Sequence, residues 1–286
     1  MKLLTFYKGN QWKLGVSTNR GVLELPQDFE DVLEKGEEEL SRISRFVDEA
    51  LLQESDTHFI QKEDLHWGPC VPNPGKIICV GLNYQKHAEE TNSPIPEYPI
   101  LFNKFSNTIT SHNSRIVIPK TTDQLDYEAE LVIVIGKEMK NVDRQNALDY
   151  VLGYCIVNDL SARDLQFRTN QWLLGKTCDD FSPIGPYLVT ADEIVDPNNL
   201  FVKTYVNGEL RQNSNTSDMI FDCSYILRYI SQYMTLSPGD IILTGTPEGV
   251  VLGNPADQQQ YLKDGDTVTI EIEGLGVLRN TFISEK

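Results

Sequence analysis

No stretch of this chain approaches the roughly 18 consecutive apolar residues that a membrane-spanning helix needs. The opening Met1 to Gly15 carries Lys, Asn, Gln and Gly where a secretory leader keeps its apolar core. A cytoplasmic protein with no membrane partner is expected. Basic residues are also scarce: 25 Lys and Arg stand against 42 Asp and Glu, a formal charge of -17. A polyanion would meet repulsion where nucleic-acid binding depends on counterion release by cations, so nucleic acid is excluded as a partner. Cysteines number five (Cys70, Cys79, Cys155, Cys178 and Cys223), an odd count with no C-x-x-C spacing. That argues against a disulfide framework and for buried or idle thiols. The four histidines, His58, His66, His87 and His112, do not cluster with them, which disfavours zinc. There is no G-x-S-x-G elbow, so a serine hydrolase is nearly excluded, and no internal repeat.

What is present is enough chain, 286 residues with 40% hydrophobic, for one large domain and a smaller one. Residues 3 to 25 alternate apolar and polar around Gly-Asn and Asn-Arg-Gly turn signals, predicting a short antiparallel meander. From Asp28 to about Gln53, apolar residues from Phe29 and Val32 to Val47 and Leu51 recur at helical spacing, with Glu37, Glu38 and Glu39 as a solvated face. Gly68 to Gly75 is rich in Pro and Gly and breaks periodicity, so the domain boundary is placed near residue 70: 1–70 a small domain, 71–286 the larger one. Beyond it come short β-branched runs, at 76–80, 116–118, 131–135, 154–158, 187–190, 201–206, 241–244 and 267–272. Asn207-Gly208 and Asp264-Gly265 favour tight hairpins, and one helix is expected over Asp218 to Tyr233. The class is α+β, mostly antiparallel.

Four segments could carry chemistry. In Asp126-Tyr127-Glu128-Ala129-Glu130, followed by the apolar Leu131 to Ile135, a strand turns Glu128 and Glu130 to one face at the mouth of a buried run. Ionised carboxylates there call for a cation or donors; a solvated strand face explains the spacing equally well. Asp159 follows an apolar run ending at Asn158, either as a third carboxylate or as a helix N-cap. Three monodentate carboxylates would leave about three positions open on an octahedral Mg²⁺ or Mn²⁺ for water and a chelating substrate. In Gly81-Leu82-Asn83-Tyr84-Gln85-Lys86-His87-Ala88-Glu89-Glu90, Asn83 could cap a short helix that sets His87 and Glu90 on one face, three apart. A carboxylate beside an imidazole fixes its tautomer and makes a general base; a surface His beside an unrelated Glu is the bland alternative. Lys176, among turn formers and apolar residues, could hold an oxyanion, where a snorkelling surface lysine is the default, and the same holds for Lys104. The Thr244-Gly245-Thr246-Pro247-Glu248-Gly249 loop offers backbone donors and the Thr246 hydroxyl, or is a plain turn.

Taken in order, the H-x-x-E at His87, E-x-E at Glu128, N-D-L-S-A-R-D-L-Q at Asp159, G-K-T-C-D-D-F-S-P-I-G-P at Lys176 and the T-G-T-P-E-G loop resemble the fumarylacetoacetate hydrolase superfamily. The resemblance covers about residues 71 to 286 and is closest to the bacterial acylpyruvase, oxaloacetate decarboxylase and hydroxyheptadienedioate isomerase types. It implies a mixed β-roll catalytic domain behind a small N-terminal α/β domain, a homodimer, and Mg²⁺ or Mn²⁺ on Glu128, Glu130 and Asp159. It further implies His87 and Glu90 as a catalytic pair on a loop that orders with substrate, Lys176 stabilising the enolate, and Lys104, Arg163, Gln166 and Thr246 contacting a small 2-oxo acid. Cys178-Asp179-Asp180, and Ser111-His112 where a glycine is common, depart from the pattern without removing a ligand. The same site supports three reactions: hydrolytic C–C cleavage of an acylpyruvate, narrowly favoured because of the H-x-x-E pair, oxaloacetate decarboxylation or tautomerisation, and 2-hydroxyhepta-2,4-diene-1,7-dioate isomerisation. A non-catalytic metal-stabilised binding protein is the rival from another class, against which His87 and Glu90 count.

Overall fold

The computed structural model describes residues 1–53 and 59–286, which leaves His58 outside the described residues. Strands β1 (Lys2–Lys8), β2 (Gln11–Thr18) and β3 (Gly21–Glu24) form the expected meander. Gly9 and Asn10, both at positive φ, make the two-residue turn whose twist matches its strands. The segment expected as one helix is two, α1 (Phe29–Lys35) and α2 (Glu37–Leu51), broken at Gly36 with φ 54°. Asp28 starts α1 with a reciprocal capping box, its carboxylate taking the Asp31 N–H while Asp31 takes that of Asp28. Glu39 is not on a solvated face: it is buried beside Lys35 and Arg42, while Glu37 and Glu38 are exposed.

After β4 (Phe59–Ile60) and the Pro-rich segment come β5 (Ile77–Gly81), α3 (Gln85–Glu90), β6 (Ile100–Lys104), β7 (Ile109–Ser111), β8 (Arg115–Ile118), β9 (Leu125–Asp126), β10 (Ala129–Ile135) and β11 (Val151–Asn158). Then follow β12 (Ser161–Ala162), α4 (Arg163–Gln166), α5 (Leu173–Lys176), β13 (Ser182–Thr190), β14 (Phe201–Val206), β15 (Glu209–Asn215), α6 (Cys223–Tyr233), β16 (Ile241–Leu243), β17 (Thr267–Ile272) and β18 (Gly276–Ser284). The main sheet runs β4-β3-β2-β1-β13-β11-β10-β16-β5-β6, with β7 alongside β13; a second runs β15-β14-β17-β18-β8. Pairing is antiparallel except at β5/β16, β7/β13 and β8/β18. Asn207-Gly208 makes the β14–β15 hairpin with both residues at positive φ. Asp264-Gly265 turns the chain into β17 without joining two paired strands, so no hairpin forms there.

Alternation along β10 explains the layering. Leu131, Ile133 and Ile135 pack with α6 and the second sheet, whereas Val132 and Val134 pack with Phe29, Val32 and Ile43 of α1 and α2. A strand buried on both faces cannot be seen as alternating hydrophobicity, which is why it appears in the sequence as a continuous apolar run. Cys70, Cys79, Cys155 and Cys223 are buried free thiols and Cys178 is half-buried.

Candidate functional site

Glu128 and Glu130 continue the Val132 and Val134 face of β10, and Asp159 continues the Cys155 and Val157 face of the adjacent β11. The register sets Ala129 against Asn158, so Glu128 stands opposite Asp159, whose N–H donates to the Glu128 carbonyl at 2.8 Å. Asn158 Oδ1 takes the Glu128 N–H. All three carboxylates are buried, and one oxygen of each lies within 4.8 Å of the others. Asp159 is not an N-cap; α4 begins four residues later behind Ala162.

The charges around them are nearly balanced. Lys176 donates to Glu128 at 2.8 Å and to Asp159 at 2.7 Å, and Lys104 donates to Asp159 and to the Phe181 carbonyl. Arg163 reaches Glu128 at 2.7 Å, Asp126 at 2.9 Å and Gln166 Oε1 at 2.9 Å. Burial by itself would raise the Glu128 carboxyl, but Lys176 and Arg163 beside it bring it down to about 2. Glu130 has the Gly245 N–H at 2.8 Å, and burial, with Asp159 and Glu128 close by, pushes it well above the ordinary carboxylate range. Asp126, Glu128 and Asp159 are matched by three buried cations (Lys104, Arg163 and Lys176), so ionising the fourth buried carboxyl, Glu130, leaves one negative charge unmatched. Three convergent hard oxygens with surplus negative charge fit a divalent cation bound by oxygen ligands.

Beside the triad is a cavity of about 90 Å³, lined among others by His87, Arg163, Gln166, Trp172, Lys176 and Thr246. That is room for several waters or a small organic acid. His87 lies on α3 and is buried, with Nδ1 2.8 Å from Glu90 Oε1. The surface-histidine alternative therefore does not hold. Glu90 also takes the Gly249 N–H at 2.9 Å. Thr246 Oγ1 accepts from Gln212. Lys104 faces Asp159 and the Phe181 carbonyl, so it acts on a carboxylate of the triad.

The structure adds residues that the motif spacing did not single out. Asn83 does not cap α3, which starts behind Tyr84 without a side-chain cap; its amide instead donates to the Phe221 and Thr244 carbonyls and accepts the Phe221 N–H, tying α3 to the β16 loop. Asp126 holds Arg163 and accepts from the Val251 and Leu252 amides. The alternation Asp126, Glu128, Glu130 was a signal for Asp126; for Asn83 there was none, because its partners are more than 130 residues distant in sequence.

A family model described as fumarylacetoacetate (FAA) hydrolase C-terminal matches residues 76–283. This chain belongs to the fumarylacetoacetate hydrolase family. Among relatives of this family, oxaloacetate tautomerase fahd2, mitochondrial, of Xenopus laevis is 44% identical over 262 residues, 91% of this chain and 79% of its own. Oxaloacetate tautomerase FAHD2B, mitochondrial, of Bos taurus is 43% identical over 91% of this chain and 81% of its own. Among solved structures, the fumarylacetoacetate hydrolase of Exiguobacterium antarcticum is 36% identical and that of maleylpyruvate hydrolase from Sphingobium sp. SYK-6, in complex with manganese(II) and pyruvate, 28%; their TM-scores are 0.82 and 0.81, and each match covers the whole of both chains. The chain is thus an enzyme of the fumarylacetoacetate hydrolase family, with that family's mixed fold. Among the described residues no helix is long and apolar enough to cross a membrane.

Proposed function

We propose that this enzyme interconverts the keto and enol forms of oxaloacetate or a closely similar small 2-oxo dicarboxylate, with decarboxylation of the same acid as the neighbouring possibility. The observation that carries this reading is the His87–Glu90 pair on the wall of a cavity of about 90 Å³ whose other walls hold Lys176, Arg163 and two of the three carboxylates. Oxaloacetate tautomerases at 43 to 44% identity over most of the chain support it. C–C hydrolysis of an acylpyruvate, favoured from the H-x-x-E pair alone, yields to it: a paired imidazole serves proton transfer in either reaction, and the two named hydrolase neighbours are less similar in sequence than the tautomerases, at 36% and 28%.

In this reading Glu128, Glu130 and Asp159 hold Mg²⁺ or Mn²⁺, with Lys104 and Lys176 donating to Glu128 and Asp159 and so aiming them. The bound ion would supply Lewis-acid polarisation of the 2-oxo carbonyl. Glu90 accepts the His87 Nδ1 proton, leaving Nε2 as the base that takes a proton from C3. The electron pair of that C–H bond becomes the C2=C3 double bond, and negative charge develops on the C2 oxygen, which Lys176 and Arg163 are placed to offset. Return of the proton to that oxygen gives the enol. Gln166 and Thr246 orient the acid. A homodimer with no membrane partner completes the reading; the named tautomerase relatives are mitochondrial, so a strictly cytoplasmic location is not part of it.

The test is turnover with Mg²⁺ or Mn²⁺ on oxaloacetate, followed separately as enol loss and as CO₂ release, beside acetylpyruvate, fumarylpyruvate and a hydroxyheptadienedioate. Enol–keto exchange on oxaloacetate that His87→Ala and Glu128→Ala both abolish is the expected result. Cleavage of an acylpyruvate with no effect on oxaloacetate would restore hydrolysis.

A further inference from the structure

We infer that Gly253 is a positioning residue for the His87–Glu90 pair: its missing side chain is the seat in which the Glu90 carboxylate rests. The inference depends on the proton-transfer role proposed above for that pair. A methyl group built on Gly253 would meet the Glu90 carboxyl carbon, stand 2.5 Å from Oε2 and 2.9 Å from Cγ. Those distances are far inside van der Waals contact, so either Glu90 or the backbone must give way. The Glu90 side chain is the softer partner, because the loop beneath it is fixed from several sides. Val251 and Leu252 donate their N–H groups to buried Asp126 at 2.9 and 3.0 Å, Gly253 N–H donates to the Val250 carbonyl at 3.2 Å, and the Asn254 amide donates to the Val250 and Val251 carbonyls. Gln259 also donates to the Leu252 carbonyl.

Glu90 is thus clamped at three points. His87 Nδ1 meets one oxygen at 2.8 Å, the Gly249 N–H meets the other at 2.9 Å, and the Gly253 Cα closes the third side. Catalytic geometry tolerates little displacement, and an imidazole whose carboxylate partner has swung away loses both its fixed tautomer and part of its basicity. Gly253 has no positive φ to explain it, in contrast to Gly245 and Gly249. Its smallness, rather than backbone freedom, is the property the site uses.

The experiment compares wild type, Glu90→Ala, Gly253→Ala and the double variant, each saturated with Mg²⁺, by kcat and KM on oxaloacetate, the pH profile of kcat, and Tm. Gly253→Ala should lower kcat by about ten- to a hundredfold with little change in KM. The pH profile of its kcat should match that of Glu90→Ala, because both variants leave the imidazole without its carboxylate partner. In the Glu90→Ala background the same methyl group meets no carboxylate and should cost nothing further, so the two losses should fail to multiply. Should Gly253→Ala alone not fold while the double variant does, the collision with Glu90 is confirmed by stability instead. Wild-type turnover and profile in Gly253→Ala, beside a slow Glu90→Ala, would overturn the inference and leave the proton-transfer reading standing. So would losses that multiply, or failure of the double variant to fold. A fully active Glu90→Ala would remove the proton-transfer reading and the inference together.

Discussion

Single side chains in this site differ in what their charge is for. Burial draws the Lys176 ammonium toward neutrality, but Asp159 and Glu128 hold it protonated, and the balance is upward from the ordinary lysine value. Without a metal ion on those carboxylates Lys176 therefore stays a cation at neutral pH; its stabilising contribution is complete there and lost only in strong alkali. Lys176→Met should reduce kcat on oxaloacetate by about 10²- to 10³-fold, as removal of an oxyanion donor does, and the variant's pH profile should keep the limbs of wild type. Glu130 is the opposite case, a buried carboxylate held by one backbone N–H and pushed up by two neighbouring carboxylates. Glu130→Gln keeps the shape and removes the charge. Without added metal its Tm should equal or exceed that of wild type, whereas the rise in Tm that Mg²⁺ or Mn²⁺ gives wild type should vanish, as binding linkage requires. A fall in metal-free Tm with an intact metal response would contradict this assignment of Glu130.

At the scale of elements, what decides is how segments end. The α1–α2 break was invisible as apolar periodicity, because Phe29, Val32, Leu40 and Ile43 keep a helical spacing across it. Gly36 breaks it through backbone conformation, at φ 54° and ψ -124°, with its N–H still donating to the Val32 carbonyl. Nothing lies within 4 Å of where its Cβ would be, so Gly36→Ala tests backbone strain without a steric clash. It should destabilise by about 1–2 kcal/mol, read as the denaturant midpoint, with oxaloacetate turnover unchanged. An equal or higher midpoint would mean that the two helices fuse at no cost. The loop after β16 works in the other sense: by donating from Gly245 to Glu130 and from Gly249 to Glu90, one turn serves the carboxylate triad and the paired imidazole alike.

At the scale of the whole molecule, the first strands and helices share a sheet and a core with the rest of the chain. Strand β1 pairs with β13, Leu3 facing Leu188, and Leu3, Leu14, Phe29, Val32 and Ile43 share one core with Val132, Val134, Val157 and Leu243. Truncation to residues 71–286 would bare that face of the main sheet and the β13 edge, which is a template for aggregation. The truncated chain should be insoluble on expression, and the full chain should unfold in one cooperative transition when fluorescence and circular dichroism are followed together. A soluble, active 71–286 fragment would show that the shared core is dispensable.

The sequence alone determined many of the local elements and which charged residues share a face. Period-two alternation and turn chemistry are local properties, so the meander at the start and the strands Phe201–Val206 and Thr267–Ile272 were legible residue by residue. The pairs Glu128/Glu130 and His87/Glu90 were legible for the same reason, since each shares a face within one strand or one helical turn. The tertiary structure alone decided that Asp159 stands opposite Glu128, that Lys104 and Lys176 converge on Asp159, that Glu39 is buried, and that Asn83 joins two loops instead of capping a helix. These depend on strand register and on contacts between residues far apart in the chain, where burial sets whether a charge is solvated or must find a partner.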